Sequence, residues 1–144
     1  MNDGKTLTPE DITARLQEYS INPTAQRVEI ARVLFSRRTH LSAEDVFSLV
    51  NEESSRVSKA TVYNTLGLFA ERGLIREVIA DPTRVFYDPN TAPHHHFYDT
   101  STGRLTDIAA DKVHVSGLPA VPEGMDVEGI DVIVRVRPAS VANR

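Results

Sequence analysis

Apolar positions recur with a helical period through the first half of the chain and with a period of two in much of the second, which divides it into a helical part and a strand-rich part. Thr8-Pro9-Glu10-Asp11 reads as a helix start, with a capping hydroxyl, a proline in the first turn and acids near the positive end of the dipole, and the helix runs to about residue 20. After the Asn22-Pro23 break, residues 24–36 place Val28, Ala31, Leu34 and Phe35 on one face and predict a second helix. Ser42-Ala43-Glu44-Asp45 resembles a capping box, and Val46, Leu49 and Val50 carry it on as a third. The fourth opens at Ser58-Lys59. Val62, Leu66 and Phe69 form its core stripe, Thr61, Tyr63, Asn64 and Thr65 face outward, and Gly73 suits a left-handed close.

Leu74-Ile75-Arg76-Glu77-Val78-Ile79, a turn at Asp81-Pro82, and Arg84-Val85-Phe86-Tyr87 then predict a β-hairpin. Three helices followed by a hairpin is the order of a winged helix-turn-helix, which lays its last helix in the major groove and its wing beside the backbone. Asp88-Pro89-Asn90-Thr91-Ala92-Pro93 reads as a hinge, so the expected domains are 1–88 and 94–144, joined by 89–93. In the second domain His94 to Tyr98, Arg104 to Ile108 and Asp131 to Val136 alternate like strands, with Gly103 in the first turn and a further short extended piece at Lys112 to Val115. Ile130, Val132, Val134 and Val136 share one face of the last strand; Gly117 to Gly129 is expected to be irregular. The fold class is therefore α+β, a winged helix followed by a small α/β dimerisation domain. About fifty residues bury too little surface to be comfortable alone, so a homodimer is expected.

Composition changes this picture in two ways. The chain has 144 residues with ordinary apolar and charged content and no cysteine, so disulfides and thiolate metal sites are excluded. No apolar run approaches a transmembrane length and the N-terminus lacks a signal-peptide core, from which no membrane partner and a cytoplasmic location are expected. The net charge of −4 argues mildly against DNA, but its distribution matters more. Arg27, Arg32, Arg37 and Arg38 face only Glu29 within residues 23–38, and Lys59, Arg72, Arg76 and Arg84 gather around the fourth helix. Tyr63, Thr61 and Asn64 are candidate base readers, with Lys59, Arg27 and Arg84 on phosphates of double-stranded DNA.

His94-His95-His96 supplies a second candidate chemistry. In a strand His94 and His96 project to one side and His95 to the other. Two imidazoles need further ligands, and Asp88, Asp107 and His40 are available. Imidazole with carboxylate suits Zn²⁺, Fe²⁺ or Mn²⁺.

Pro23-Thr24-Ala25-Gln26-Arg27, Leu41 to Phe47, Ala60 to Leu66 with Gly73-Leu74-Ile75, the histidine cluster and the Gly103 turn together resemble the Fur superfamily of metal-responsive bacterial repressors. Tyr63-Asn64, His94-His95-His96-Phe97, Val115-Ser116-Gly117-Leu118-Pro119 and the closing strand make the chain most similar to its iron-response-regulator (Irr) branch. The resemblance implies a dimeric winged-helix regulator of iron uptake and haem-related genes, with no small-molecule substrate. It implies sensory metal ligands at His40, Asp88, His94, His96 and Asp107. Asp99 and Thr102 stand where many relatives carry the first cysteine pair of a structural zinc site, so no such zinc is expected; a cysteine-based haem motif is also missing, so the haem sensing that the resemblance implies would rest on an imidazole of His94, His95 or His96 as axial ligand. Manganese or zinc sensing within the superfamily is the near alternative. A small non-haem metal enzyme built on His94, His96 and a carboxylate, and a protein-binding adaptor, are the alternatives of other classes.

Overall fold

The computed structural model describes residues 7–36, 40–53 and 57–140. Arg37, Arg38 and the N-terminal six residues fall outside them. The chain divides into two compact units, Met1–Thr91 and Ala92–Arg144.

In the first unit the helices begin where side chains replace missing carbonyl partners. Helix α1 spans Pro9–Glu18, where the Thr8 hydroxyl accepts from the Asp11 amide at 3.1 Å and the Asp11 carboxylate accepts from the Thr8 amide at 3.0 Å. Helix α2 spans Ala25–Ser36, with the Thr24 hydroxyl accepting from the Arg27 amide. Helix α3 spans Ala43–Glu53, entered through the same reciprocal box between Ser42 and Asp45. Helix α4 spans Lys59–Glu71, capped by the Ser58 hydroxyl on the Thr61 amide at 3.1 Å. It ends with Gly73 at φ +82°, where the Gly73 amide bonds to Ala70 O and the Leu74 amide to Phe69 O. That pair of bonds satisfies carbonyls the helix end would otherwise leave open. Helix α1 closes in the same way, with Ser20 in the left-handed position at φ +59°.

The apolar faces of the four helices meet in one core that includes Ile12, Leu16, Ile30, Leu34, Val46, Val50, Val62, Leu66 and Phe69. Helix α2 packs against α1, α3 and α4 together. Its buried set is accordingly Ile30, Ala31, Val33 and Leu34, broader than the predicted stripe, with Val28 and Phe35 only half-buried.

A small sheet completes the unit. Strand β1 is the two residues Leu41–Ser42, β2 is Arg76–Asp81 and β3 is Arg84–Asp88, in the order β1-β3-β2. The hairpin pairs Val78 with Phe86 and Arg76 with Asp88, and β1 pairs Leu41 with Tyr87. Leu74 and Ile75, predicted to open the first wing strand, instead lie buried in the turn after α4.

The second unit is a three-stranded sheet. Strands β4, His94–Asp99, and β5, Arg104–Ala109, form an antiparallel hairpin around Gly103 at φ +75°. Strand β6, Ile133–Val136, runs parallel to the other side of β4. Of the expected extended piece at residues 112–115, Lys112 instead closes the single 3-10 turn Ala110–Lys112, while Val113 is extended but residues 113–115 join no strand. Residues 117–129 form neither helix nor strand, with one turn bond from the Met125 amide to Pro122 O. Among the described residues no helix is long and apolar enough to cross a membrane.

Candidate metal centre and nucleic-acid interface

Strand periodicity and hairpin register build the histidine cluster. His94, His96 and Tyr98 are buried on one face of β4, and register sets Asp107 opposite His96 on that face. The Nε2 atoms of His94 and His96 lie 3.5 and 3.4 Å from the same atom, Asp107 Oδ1, and the two rings meet edge to face with centroids 4.6 Å apart. Two donors bound to a divalent ion at about 2.1 Å and a tetrahedral angle stand about 3.4 Å apart, so these separations match the edges of a coordination polyhedron. His94 Nδ1 lies 2.7 Å from Ala92 O, an arrangement that takes the Nδ1–H tautomer and leaves the Nε2 lone pair for an ion. The donor set thus fits a divalent transition metal.

His95 is not brought into this cluster. It lies on the opposite face, where its Nδ1 accepts the Val132 amide at 3.0 Å and helps seat β6 against β4. The proton of that neutral ring is then on Nε2, so ligation through either nitrogen requires breaking the bond to Val132. His114 is exposed and stands apart from any strand.

In the first unit His40 and Asp88 form a pair of their own. His40 Nδ1 is 3.7 Å from Asp88 Oδ2, and both side chains are nearly buried. Asp88 Oδ1 accepts the Asn90 amide at 2.9 Å, which fixes the carboxylate with its second oxygen toward the imidazole. An imidazole beside an oriented carboxylate is again a metal-ligating pair.

Helix α4 presents Lys59, Ala60, Tyr63, Asn64, Gly67 and Glu71 to solvent. Tyr63 and Asn64 are therefore exposed, as base readers must be. Thr61 is half-buried, and its hydroxyl accepts from Ser58 Oγ at 2.9 Å as part of the helix cap. Thr65, expected to face outward, is buried instead: residues 62, 65, 66 and 69 follow the spacing of one helical face. Burial first, then the charge of Glu77 and the nearby Tyr63, raises the Tyr87 phenol above its ordinary value, so it is neutral at physiological pH.

The candidate phosphate contacts differ in how free they are. Lys59 Nζ lies 3.4 Å from Glu44 Oε1 and 5.9 Å from the centre of the Tyr63 ring. Arg27 donates from Nη1 to Asn22 O at 2.9 Å, bracing the loop before α2. Arg84 is exposed at the wing with its guanidinium 5.8 Å from the Phe86 ring centre. Arg72 donates to Ser20 O at 2.9 Å and so ties the end of α4 to the end of α1.

One residue that shapes this interface carries no sequence signal of its own. Asn51 on α3 donates through Nδ2 to Phe47 O and Val57 O, at 2.9 and 3.1 Å, and accepts the Val57 amide through Oδ1 at 2.8 Å. Its amide group acts as a surrogate peptide that fixes the approach to α4. Only the fact that it is polar near the end of an amphipathic helix hints at this.

The sequence pattern of the ferric uptake regulator family matches residues 18–134. The chain is 31% identical over 99 residues to the peroxide-responsive repressor PerR of Staphylococcus aureus strain Mu50, an alignment covering 69% of this chain and 67% of that repressor. The ferric uptake regulator from Pseudomonas aeruginosa with manganese superposes with a TM-score of 0.68 at 23% identity, over 89% of this chain and 98% of that one. A zinc-bound manganese uptake regulator gives 0.65 at 23% identity, over 94% and 100%. These two structures share the fold of this chain. With the family pattern spanning most of its length, the chain belongs to the ferric uptake regulator family, whose members are metal-responsive transcription regulators and not enzymes.

Proposed function

We propose that the chain is an iron-responsive regulator of the Irr type, which binds operator DNA as a homodimer in the cytoplasm and controls iron uptake and haem-related genes. The observation that carries the sensing role is the convergence of two imidazole Nε2 atoms on one carboxylate oxygen, with His94 held by Ala92 O. His94, His96 and Asp107 supply one part of the ligand set, and His40 with Asp88 the other, as the family resemblance implies. When bound, the metal supplies charge and directional bonds that favour one arrangement of DNA-binding domains over others.

Fe²⁺ or Mn²⁺ is the proposed ion. Zn²⁺ is the second reading, supported by the 3.5 and 3.4 Å separations of the two imidazole Nε2 atoms from Asp107 Oδ1, which match tetrahedral edges. Haem is the weaker option, because His94 and His96 are 5% and 0% exposed and a porphyrin needs an open ring face. Tyr63, Asn64 and Thr61 would read bases while Lys59, Arg27 and Arg84 hold phosphates. Exposed Phe97, Val134 and Val136 share the sheet face opposite the histidine cluster, an apolar surface suited to a second copy of the chain.

The test is binding of the purified chain to a duplex it has selected from a random pool, titrated with Mn²⁺, Fe²⁺, Zn²⁺ and haem. The same titration is run on a double variant with His94→Ala and His96→Ala. The expected result is a metal-dependent affinity that the double variant loses. An unchanged response in that variant would remove the proposed sensor.

A further inference from the structure

Lys59 is the one basic side chain on α4, and the free protein already commits it. Its ammonium sits 3.4 Å from Glu44 Oε1, a residue fifteen positions earlier on the first turn of α3. Both side chains are largely exposed, at 59% and 73%, so the pair adds little to folding. It lies beside the exposed Tyr63 ring, at the point where a DNA backbone would approach if α4 enters the groove. A carboxylate there repels phosphate and occupies the cation that phosphate would take.

We propose that Glu44 is a built-in competitor for the DNA backbone, a residue that phosphate must displace from Lys59. The inference rests on the proposed role of α4 as the DNA reader. Non-specific binding gains almost only from phosphate contacts. Where one ion pair is merely exchanged for another, that gain shrinks, and stable attachment depends more on what Tyr63 and Asn64 find at the base edges. Glu44 thus sets how far affinity is carried by sequence instead of by charge, in a protein whose net charge is already −4.

The experiment is a double-mutant cycle with Glu44→Gln and Lys59→Ala, measured on a random-sequence duplex and on a duplex selected from a random pool, across a range of salt. Thermal melts check that every variant is folded. Glu44→Gln is expected to tighten binding to both duplexes several-fold, and to steepen the salt dependence by up to one phosphate contact, a change in slope of about −0.9. In the Lys59→Ala background the same change should have less than about a twofold effect, because no cation remains to be released. Glu44→Gln without effect in the parent chain would overturn the competitor role, as would equal tightening with and without Lys59, which would mean direct repulsion alone. Lys59→Ala without effect on either duplex would sink the α4 phosphate assignment as well, a result distinct from failure at Glu44.

Discussion

Replacing Asn51 by Ala tests whether a single side-chain amide holds the joint between α3 and α4. The side chain makes the three hydrogen bonds described above, at 2.8, 2.9 and 3.1 Å. Phe47 O lies in the helix and keeps its backbone partner, so its loss is small. Val57 belongs to a residue only 4% exposed, and its amide and carbonyl lose their partner without gaining free access to water. Taking about 1 kcal/mol net for each of those two bonds, plus part of the penalty for a buried unpaired donor, gives a loss of about 2–3 kcal/mol. For a unit of this size that corresponds to a fall in Tm of about 10–20 °C. Asn51→Asp should be no better at neutral pH, since it turns a carboxylate oxygen toward two carbonyls. Calorimetric melts or denaturant titration of the full chain would measure both, with DNA affinity recorded in parallel because Val57 leads directly into the cap of α4. A loss under about 0.5 kcal/mol for Asn51→Ala, the range of an ordinary surface change, would refute the argument.

Tyr63→Ala should reduce the preference for a selected duplex over random DNA, and equal loss on both in binding titrations would deny it a reading role. Ser20→Gly should raise Tm, because glycine adopts φ +59° without the cost of about 1 kcal/mol that a side chain carries there; a lower Tm would contradict this. Hydrogen bonds from the Ser101 hydroxyl and amide, and then from Thr102, hold the Asp99 carboxyl below its ordinary 3.8. A lowered pKa contributes stability that is present above the unfolded value and lost as the pH falls through the folded one. The stability difference between the parent chain and Asp99→Asn should therefore be largest at neutral pH and shrink in acid below 3.8, and denaturation curves at several pH values would show it.

What was legible in the sequence is what depends on near neighbours. The caps at Thr8, Ser42 and Ser58 and the left-handed close at Gly73 each involve residues a turn or less away, and their chemistry can be read from residue type alone. The pairing of His94 with His96 follows from strand alternation in the same way. Strand β1 was not legible, because two residues have no periodicity and Leu41 finds Tyr87 only once the whole unit has folded. Thr65 faces the core because its spacing with Val62, Leu66 and Phe69 outweighs its polarity. Asn51 was invisible because its partner Val57 lies across a loop, and the engagement of His95 with Val132 depends on a strand more than thirty residues later. Asp107 became a specific neighbour of His96 only through the hairpin register that the Gly103 turn enforces.

The Asp99 turn has a practical consequence. Where many relatives would place thiolates around zinc, this hairpin is fastened by one carboxylate oxygen that accepts the Ser101 amide, the Ser101 hydroxyl and the Thr102 amide at 2.8, 2.6 and 3.2 Å. Chelators and thiol oxidants have nothing to extract or oxidise at that corner. If the proposed sensing role holds, stripping ions from the purified protein should empty the His94, His96 and Asp107 site while the Asp99 turn keeps its hydrogen bonds, so a change in DNA affinity on chelation would report the signal itself instead of collapse of the scaffold.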